Sequence, residues 1–129
     1  MYLPISLASA AAAAALNVWL SIRIGAVRSA KKISVGDGGD EDLIRRMRAQ
    51  ANFIENAPIV LILIALIEAA RPGNLWLAGV AGAFVVARVA HGVGMDGGPL
   101  RIGRMIGTMV TMLSLLGLAI WAATIAIDM

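Results

Sequence analysis

The polar segment RAQANFIENAP, residues 48–58, runs directly into the apolar segment IVLILIALI, residues 59–67. Arg48, Asn52 and Glu55 fall at positions i, i+4 and i+7, so a helix places them on one stripe. An acidic side chain at the centre of a bilayer costs roughly 2.5–3.5 kcal/mol, so the protein must provide it with a partner. This stripe is therefore the best candidate for a functional site.

Four long runs of the sequence carry few or no charges: Leu3–Ile22, Ala49–Ile67, Pro72–Met95 and Met105–Ile127. A helix needs about 20 apolar residues to cross a bilayer, and each run is close to that length. The chain is 60% hydrophobic, and the alternation with period two that is typical of membrane β-barrels is absent. The sequence predicts an all-α integral membrane protein of four transmembrane helices, with residues 1–129 forming a single domain.

The basic residues are concentrated in two of the connections between these runs. The first long connection carries six of them and the last carries Arg101 and Arg104, whereas neither terminus has any. Since positive loops stay in the cytoplasm, we expect both of these loops inside and both termini outside. The compact chain suits a bacterial inner membrane. No aromatic residues alternate with the basic ones, so nucleic-acid binding is not expected.

The chain has no cysteine, which excludes disulfides and any thiol chemistry by the protein itself. The acidic loop around Gly36–Asp42 lacks the ligand spacing of an EF-hand, and no metal site is predicted. Asp40 and Asp42 are expected instead to cap the following helix. The first apolar run has no positive segment before it and is longer than a signal-peptide core, so we expect it to be retained.

The expected helix boundaries follow from these runs and from the turn residues. The first helix should run from about Leu3 to Ala26, and the second from near Glu41 to just before Pro72, with a kink at Pro58. The third follows a tight turn, and the fourth begins around Leu100. Small residues suited to close helix packing occur as a GxxxG pair, Gly103 and Gly107, and as a weaker pair, Gly79 and Ala83.

Nine polar residues from three helices are expected at one level, near the cytoplasmic surface. A pocket there would combine several cations, one carboxylate and some amides, which suits a small net-anionic ligand that also carries an amine. The nine residues are Arg48, Gln50, Asn52, Glu55, Asn56, Arg88, His91, Arg101 and Arg104.

A purely structural interpretation of the same residues stays open at this point. Arg88 could pair with Glu55 to hide both charges, and His91 could be a buried structural histidine. Arg101 and Arg104 could simply be positive residues that anchor the helix end at the membrane surface.

The sequence resembles the MAPEG family, the membrane-associated proteins in eicosanoid and glutathione metabolism. The likeness covers nearly the whole chain and is most specific in residues 48–58, which look like the family's second-helix pattern of arginine, asparagine, glutamate and proline. The stretch from Ala87 to His91 is similar to the third-helix motif, and Arg104 matches the arginine that begins the fourth helix. Asn56 and Met95 stand where family members often have tyrosines.

The resemblance implies a homotrimer with glutathione sites between neighbouring subunits near the cytoplasmic face. It implies that Arg48, Asn52, Glu55 and His91 contact glutathione, with Gln50 and Arg88 as supports. Arg104, with Arg101 as the alternative, would stabilise the thiolate, because an adjacent guanidinium lowers the pKa of a thiol.

The function predicted from this resemblance is a membrane-bound glutathione-dependent transferase or peroxidase in detoxification. The glutathione thiolate would attack a lipophilic electrophile dissolved in the membrane lipid, or reduce a hydroperoxide. Two alternatives remain. One is a family-like binding or scaffold protein without catalysis, and the other is a small proton-coupled multidrug exporter. Such exporters resemble this chain in length but carry their essential glutamate in the first helix, which here has no acid.

Overall fold

The computed structural model describes residues 1–129 and contains four long helices. They are α1 (Pro4–Lys31), α2 (Glu41–Ala70), α3 (Leu75–Gly94) and α4 (Ile102–Asp128), and a short 3₁₀ turn over Gly98–Leu100 precedes the last. All four are long and apolar enough to cross a membrane, and the chain has no strand. The predicted all-α, four-helix membrane fold is confirmed.

The first helix extends further than the sequence indicated. It was expected to end near Ala26, but α1 continues to Lys31 and ends where Lys32 takes the left-handed conformation, with φ of 56°. The difference has a physical reason: falling hydropathy marks where a helix leaves the membrane, whereas backbone hydrogen bonding continues until a residue breaks the ladder.

The second helix begins and ends as predicted. The Asp40 side chain accepts a hydrogen bond from the Leu43 amide at 2.9 Å, which caps α2, and Asp42 lies in its first turn. The Lys31 ammonium also donates to the Asp40 carboxylate, at 2.6 Å, and this bond together with the Leu43 amide holds the pKa of the Asp40 carboxyl below its usual value. The helix continues through Pro58 and ends at Ala70, before Pro72.

The core of the bundle lies along one face of α2. Helix α1 packs on α2 and α3, while α4 packs on α3 and α2. Only 26 of 129 residues are buried, so much of the apolar surface faces outward, where lipid or further copies of the chain can cover it. The core side chains are small and aliphatic with two phenylalanines, and its least exposed members include Val60, Ile64, Leu77, Phe84 and Leu118.

Three glycines bring α3 and α4 into backbone contact. A Cβ atom added to Gly94 would lie 2.1 Å from the backbone nitrogen of Arg104, and one added to Gly103 would lie 2.5 Å from the Ala90 carbonyl oxygen. At Gly107 it would lie 2.5 Å from the Ala87 carbonyl oxygen. Since only glycine fits at these separations, the predicted packing role of Gly103 and Gly107 is confirmed. The weaker pair, Gly79 and Ala83, makes no such contact within one chain, since a Cβ on Gly79 would meet nothing within 4 Å, and its packing role stays a prediction.

A buried carboxylate that sequence reasoning did not single out joins α1 to the end of α2. Glu68 is fully buried and accepts hydrogen bonds from the Ile5 amide at 2.9 Å and the Ser6 amide at 2.7 Å. The Ser6 hydroxyl donates to it as well, at 2.6 Å. Glu68 thereby satisfies backbone donors that the first turn of any helix leaves free, and its negative charge suits the α1 N-terminus.

Candidate functional site

The polar residues predicted from the sequence gather at the end of the bundle that carries the α1–α2 and α3–α4 loops, here called the two-loop end. At its centre is Arg88, which is 2% exposed. Its guanidinium donates to Asn52 Oδ1 at 2.8 Å and to Thr111 Oγ1 at 3.2 Å, and lies 3.4 Å from His91 Nδ1. This network joins α2, α3 and α4, and it brings together three of the predicted site residues.

Arg88 does not pair with Glu55, which corrects the structural alternative raised from the sequence. No carboxylate lies among its hydrogen-bond partners, and the aromatic ring of Phe53 lies 6.0 Å from the guanidinium carbon. The reason is the rotation of α2: Asn52 faces α3, whereas Glu55, three residues further along, is turned to the exposed surface.

Gln50 lies on the other side of α2, where it contacts α1. Its amide nitrogen donates to the Ser21 hydroxyl at 2.7 Å and lies 3.4 Å from Asn17 Oδ1. Close by, Arg28 and Glu55 line a cavity of about 430 Å³ between the two helices. Gln50 is therefore not joined to the Arg88 network within one chain.

Arg101 and Arg104 line a second cavity, of about 650 Å³, on the α3–α4 side of the two-loop end. Arg45 from α2 reaches the same cavity, so three guanidinium groups surround it. Its remaining walls include Thr108 and the methionines Met95, Met105 and Met109. The cavity is thus lined by cationic groups and by flexible apolar side chains. Such a lining suits a ligand that joins an anionic group to an apolar one.

Four of the predicted charged residues have no partner in the chain. The side chains of Arg48, Glu55, Arg101 and Arg104 are exposed and make no hydrogen bond or ion pair. The structure therefore leaves these groups available to a ligand or to another copy of the chain.

Asn56 and Met95, where the resemblance leads us to expect tyrosines, make other contacts. The amide nitrogen of Asn56 donates to the backbone carbonyl of Asn52 at 2.7 Å, so this side chain supports its own helix. Met95 lines the cavity of Arg104 and packs against the core.

An ion-pair cluster that was not predicted fixes the α3–α4 loop. Asp96 pairs with Arg23 and lies 3.4 Å from Arg46 Nε. Arg23 also donates to the Gly92 carbonyl at 2.8 Å and stacks on Trp19, with the guanidinium carbon 4.9 Å from the ring centre. Since these residues come from α1, α2 and the loop before α4, the cluster positions the segment that leads to Arg101 and Arg104.

Thr111 is a further residue that was not predicted from the sequence. It is fully buried, and its hydroxyl donates to the Gly107 carbonyl at 2.7 Å while accepting from Arg88. A signal was present, because Thr111 follows Arg104 by two helical turns and Gly107 by four residues, which puts all three on one stripe.

Four membrane-length helices with a polar cluster at one end define an integral membrane helix bundle. The model of the MAPEG family matches residues 6–124, nearly the whole chain. The chain belongs to the MAPEG family, which includes glutathione transferases and peroxidases as well as non-catalytic members. A comparison with curated proteins gave no match.

Proposed function

We propose that this protein is a membrane-bound, glutathione-dependent transferase or peroxidase. The observation that carries the proposal is the set of unpartnered charges at the two-loop end, which comprises three arginines and one glutamate. Charges held near lipid are costly unless they have a function or a partner. Glutathione matches this set, because it carries two carboxylates, one ammonium group, two amides and a thiol.

The roles assigned to the residues follow from this match. Arg48 holds a glutathione carboxylate, since guanidinium groups bind carboxylates through two parallel hydrogen bonds. Glu55 pairs with the ammonium group, and Asn52 and His91 bind the peptide groups. Gln50 supports these contacts from the side of α2 that faces α1, and Arg88 supports them from the core. The whole chain, residues 1–129, acts as one domain.

The chemical step belongs to the thiol and to Arg104. A free thiol has a pKa near 8.5, so only a few per cent is thiolate at neutral pH. The Arg104 guanidinium raises that share by stabilising the anion, with Arg101 as the alternative. The thiolate then forms a carbon–sulfur bond to a lipophilic electrophile, whose leaving group or opened ring takes the electron pair. With a hydroperoxide, the thiolate attacks the terminal peroxide oxygen, the O–O bond breaks, and the alkoxide takes up a proton and leaves as the alcohol. The resulting sulfenic acid of glutathione then reacts with a second glutathione to give the disulfide and water.

The assembly proposed for this site is a homotrimer in a bacterial inner membrane. Within one chain, Gln50 and Arg28 lie on the α1 side of α2, whereas Arg101 and Arg104 lie on the α4 side. A neighbouring copy brings the first set against the second, so that each glutathione lies between two subunits. In this arrangement the two-loop end faces the cytoplasm and the termini face outward.

The decisive experiment is calorimetric titration of glutathione into the detergent-purified protein, comparing wild type with Glu55→Gln. The proposal expects binding by wild type and a loss of at least tenfold in affinity, about 1.4 kcal/mol, in the variant. Lys32→Gln is a matched control, because it changes an exposed charge outside the site. No binding by the wild-type protein would refute the proposal.

A second candidate, a non-catalytic binding protein, is favoured by one observation. Asn56 and Met95 provide no hydroxyl where relatives often have tyrosine, and the Asn56 amide is already engaged with its own helix. Glutathione binding without turnover on a panel of electrophiles and hydroperoxides would support this candidate.

A further inference from the structure

The buried guanidinium of Arg88 determines which atoms of its neighbours can face a ligand. Arginine has five N–H donors, no acceptor, and a charge that it does not lose in proteins. Every atom that bonds to it must therefore be an acceptor. The structure gives it three such atoms, Asn52 Oδ1, Thr111 Oγ1 and His91 Nδ1.

The proton of Thr111 is accounted for within α4. Its hydroxyl donates to the Gly107 carbonyl at 2.7 Å, so the lone pair is left to accept from Arg88 at 3.2 Å. Thr111 thus holds the guanidinium in place from the side of α4 and offers nothing to a ligand.

The Asn52 amide is oriented by the same requirement that only an acceptor can face the Arg88 guanidinium. Because its carbonyl oxygen accepts from Arg88 at 2.8 Å, the amide nitrogen points to the opposite side. That nitrogen makes no hydrogen bond in the chain, and the side chain is only half-buried. Asn52 therefore turns its two N–H donors toward the site, while its carbonyl oxygen faces the buried Arg88.

The contact with Arg88 also determines which ring nitrogen of His91 carries the proton. With Nδ1 at 3.4 Å from a guanidinium nitrogen, this ring atom must carry the lone pair, which leaves the single proton of the neutral ring on Nε2. The Nε2 atom has no hydrogen-bond partner in the chain. It is not one of the fully buried polar atoms without a partner, so it is accessible from outside the chain. His91 therefore also offers a donor.

We propose that Arg88 is a positioning residue that sets the hydrogen-bond polarity of the site, so that Asn52 and His91 present only donors to the ligand. The proposal rests on the proposed function for the identity of that ligand. It adds that the site selects carbonyl and carboxylate oxygens at these two positions. One donor of Arg88, Nε, has no acceptor, and no carboxylate lies among its partners. The positive charge is therefore only partly compensated, which favours an anionic ligand further.

The test uses the fact that His91 is the single histidine of the chain. Protein labelled with ¹⁵N-histidine gives nitrogen signals from one ring, and their shifts and couplings identify the protonated nitrogen directly. In the full-length protein in detergent, near neutral pH and without glutathione, the proposal expects a neutral ring with its proton on Nε2. A proton on Nδ1, or a charged ring, in the wild-type protein would overturn it.

Variants separate positioning from general structural support. Arg88→Met removes the donor that dictates the tautomer, so a share of His91 should gain a proton on Nδ1, and glutathione affinity should fall by tenfold or more. Thr111→Val takes away one acceptor of Arg88 at almost unchanged volume and should produce a smaller change in the same direction. Thr111→Ser keeps the hydroxyl and should restore the wild-type spectrum and affinity.

The two proposals can fail separately. If Arg88→Met does not fold, Thr111→Val and Thr111→Ser still decide, and identical ring spectra for wild type and Thr111→Val would contradict the positioning role. If the wild-type protein does not bind glutathione, the proposed function fails, while the ring spectrum of the unliganded protein still reports on Arg88.

Discussion

The Ser6 hydroxyl donates a hydrogen bond to the Glu68 carboxylate at 2.6 Å, and so the beginning of α1 is tied to the end of α2. With the two backbone amides that Glu68 also accepts, this is the main polar contact at the end of the bundle opposite the two-loop end. A carboxylate with three donors and no cation satisfies its charge through hydrogen bonds alone.

The first prediction concerns this contact. Ser6→Ala should lower the stability by about 1 kcal/mol, the usual net value of one hydrogen bond. Glu68→Leu should lower it further, because it leaves two partly buried amides without their acceptor. Thermal unfolding in detergent measures both. Ser9→Ala is the matched control, since the Ser9 hydroxyl donates within its own helix, to the Ile5 carbonyl at 2.7 Å. Equal effects of the two serine variants would contradict the prediction.

The second prediction tests the contact between α3 and α4. Gly107→Ala should cost about 1–3 kcal/mol, because the new methyl group would lie 2.6 Å from the His91 Cβ and force the helices apart. The shift also moves His91, so glutathione affinity should fall. The control is Gly117→Ala on the same helix, where the methyl group meets nothing within 4 Å and should be neutral or slightly stabilising. Unfolding temperature and calorimetric affinity together check this pair.

The third prediction assigns the thiol. Arg104→Ala should reduce the thiolate absorbance of bound glutathione at neutral pH, whereas Arg101→Ala should leave it close to wild type and weaken binding only modestly. Both arginines line the same cavity, so the comparison keeps the surroundings constant. An unchanged thiolate signal in Arg104→Ala, with loss in Arg101→Ala, would reverse the assignment.

The fourth prediction concerns the ion-pair cluster at the α3–α4 loop. Asp96→Asn removes the pairing of Arg23 and Arg46, but since Asp96 is 38% exposed, stability should change by less than about 1 kcal/mol. Glutathione affinity should fall roughly fivefold, or about 1 kcal/mol, because the loop positions Arg101 and Arg104. Asp37→Asn is the comparison, because Asp37 is an exposed acid of the α1–α2 loop whose side chain accepts only from the Gly39 amide and makes no ion pair. An affinity loss of equal size in both variants would show that the loop has no special role.

The fifth prediction follows from the cap of α2. The hydrogen bond from Lys31, together with the Leu43 amide, holds the pKa of Asp40 below its usual value of 3.8. The stabilisation by this carboxylate is therefore complete at pH values above 3.8 and is lost as the pH falls through the lower pKa of the folded state.

Asp40→Asn preserves the cap but removes the charge, so its destabilisation should be visible at neutral pH and disappear in acid. Thermal unfolding of the two proteins from neutral to acidic pH measures this difference. A difference that stays constant across that range would mean that the Lys31 pair contributes nothing.

The four-helix architecture could be predicted because a helix that crosses lipid needs a long apolar run, and such runs are visible in the sequence. Runs of membrane length with few or no charges located all four helices, and Asp40 and Pro72 bounded α2 correctly. The pair of Gly103 and Gly107 was identified for the same reason, since close helix packing requires small residues at that spacing.

The partners of the polar residues could not be predicted in the same way. Whether Arg88 faces Glu55 or Asn52 depends on the rotation of two helices about their axes, which spacing along one helix does not determine. Glu68 was passed over because an acid at the end of an apolar run looks like a membrane boundary. Its actual partner, the beginning of α1, is far away in the sequence.

The glycine contacts between α3 and α4 also have a mechanical consequence. With no side chains between the two backbones at Gly94, Gly103 and Gly107, sliding one helix along the other would drive Cβ atoms of the next residues into the opposing chain. The pair therefore moves as one rigid body. Any opening within the bundle that the proposed ligand needs is expected to come instead from displacement of α2 or α1 relative to that body.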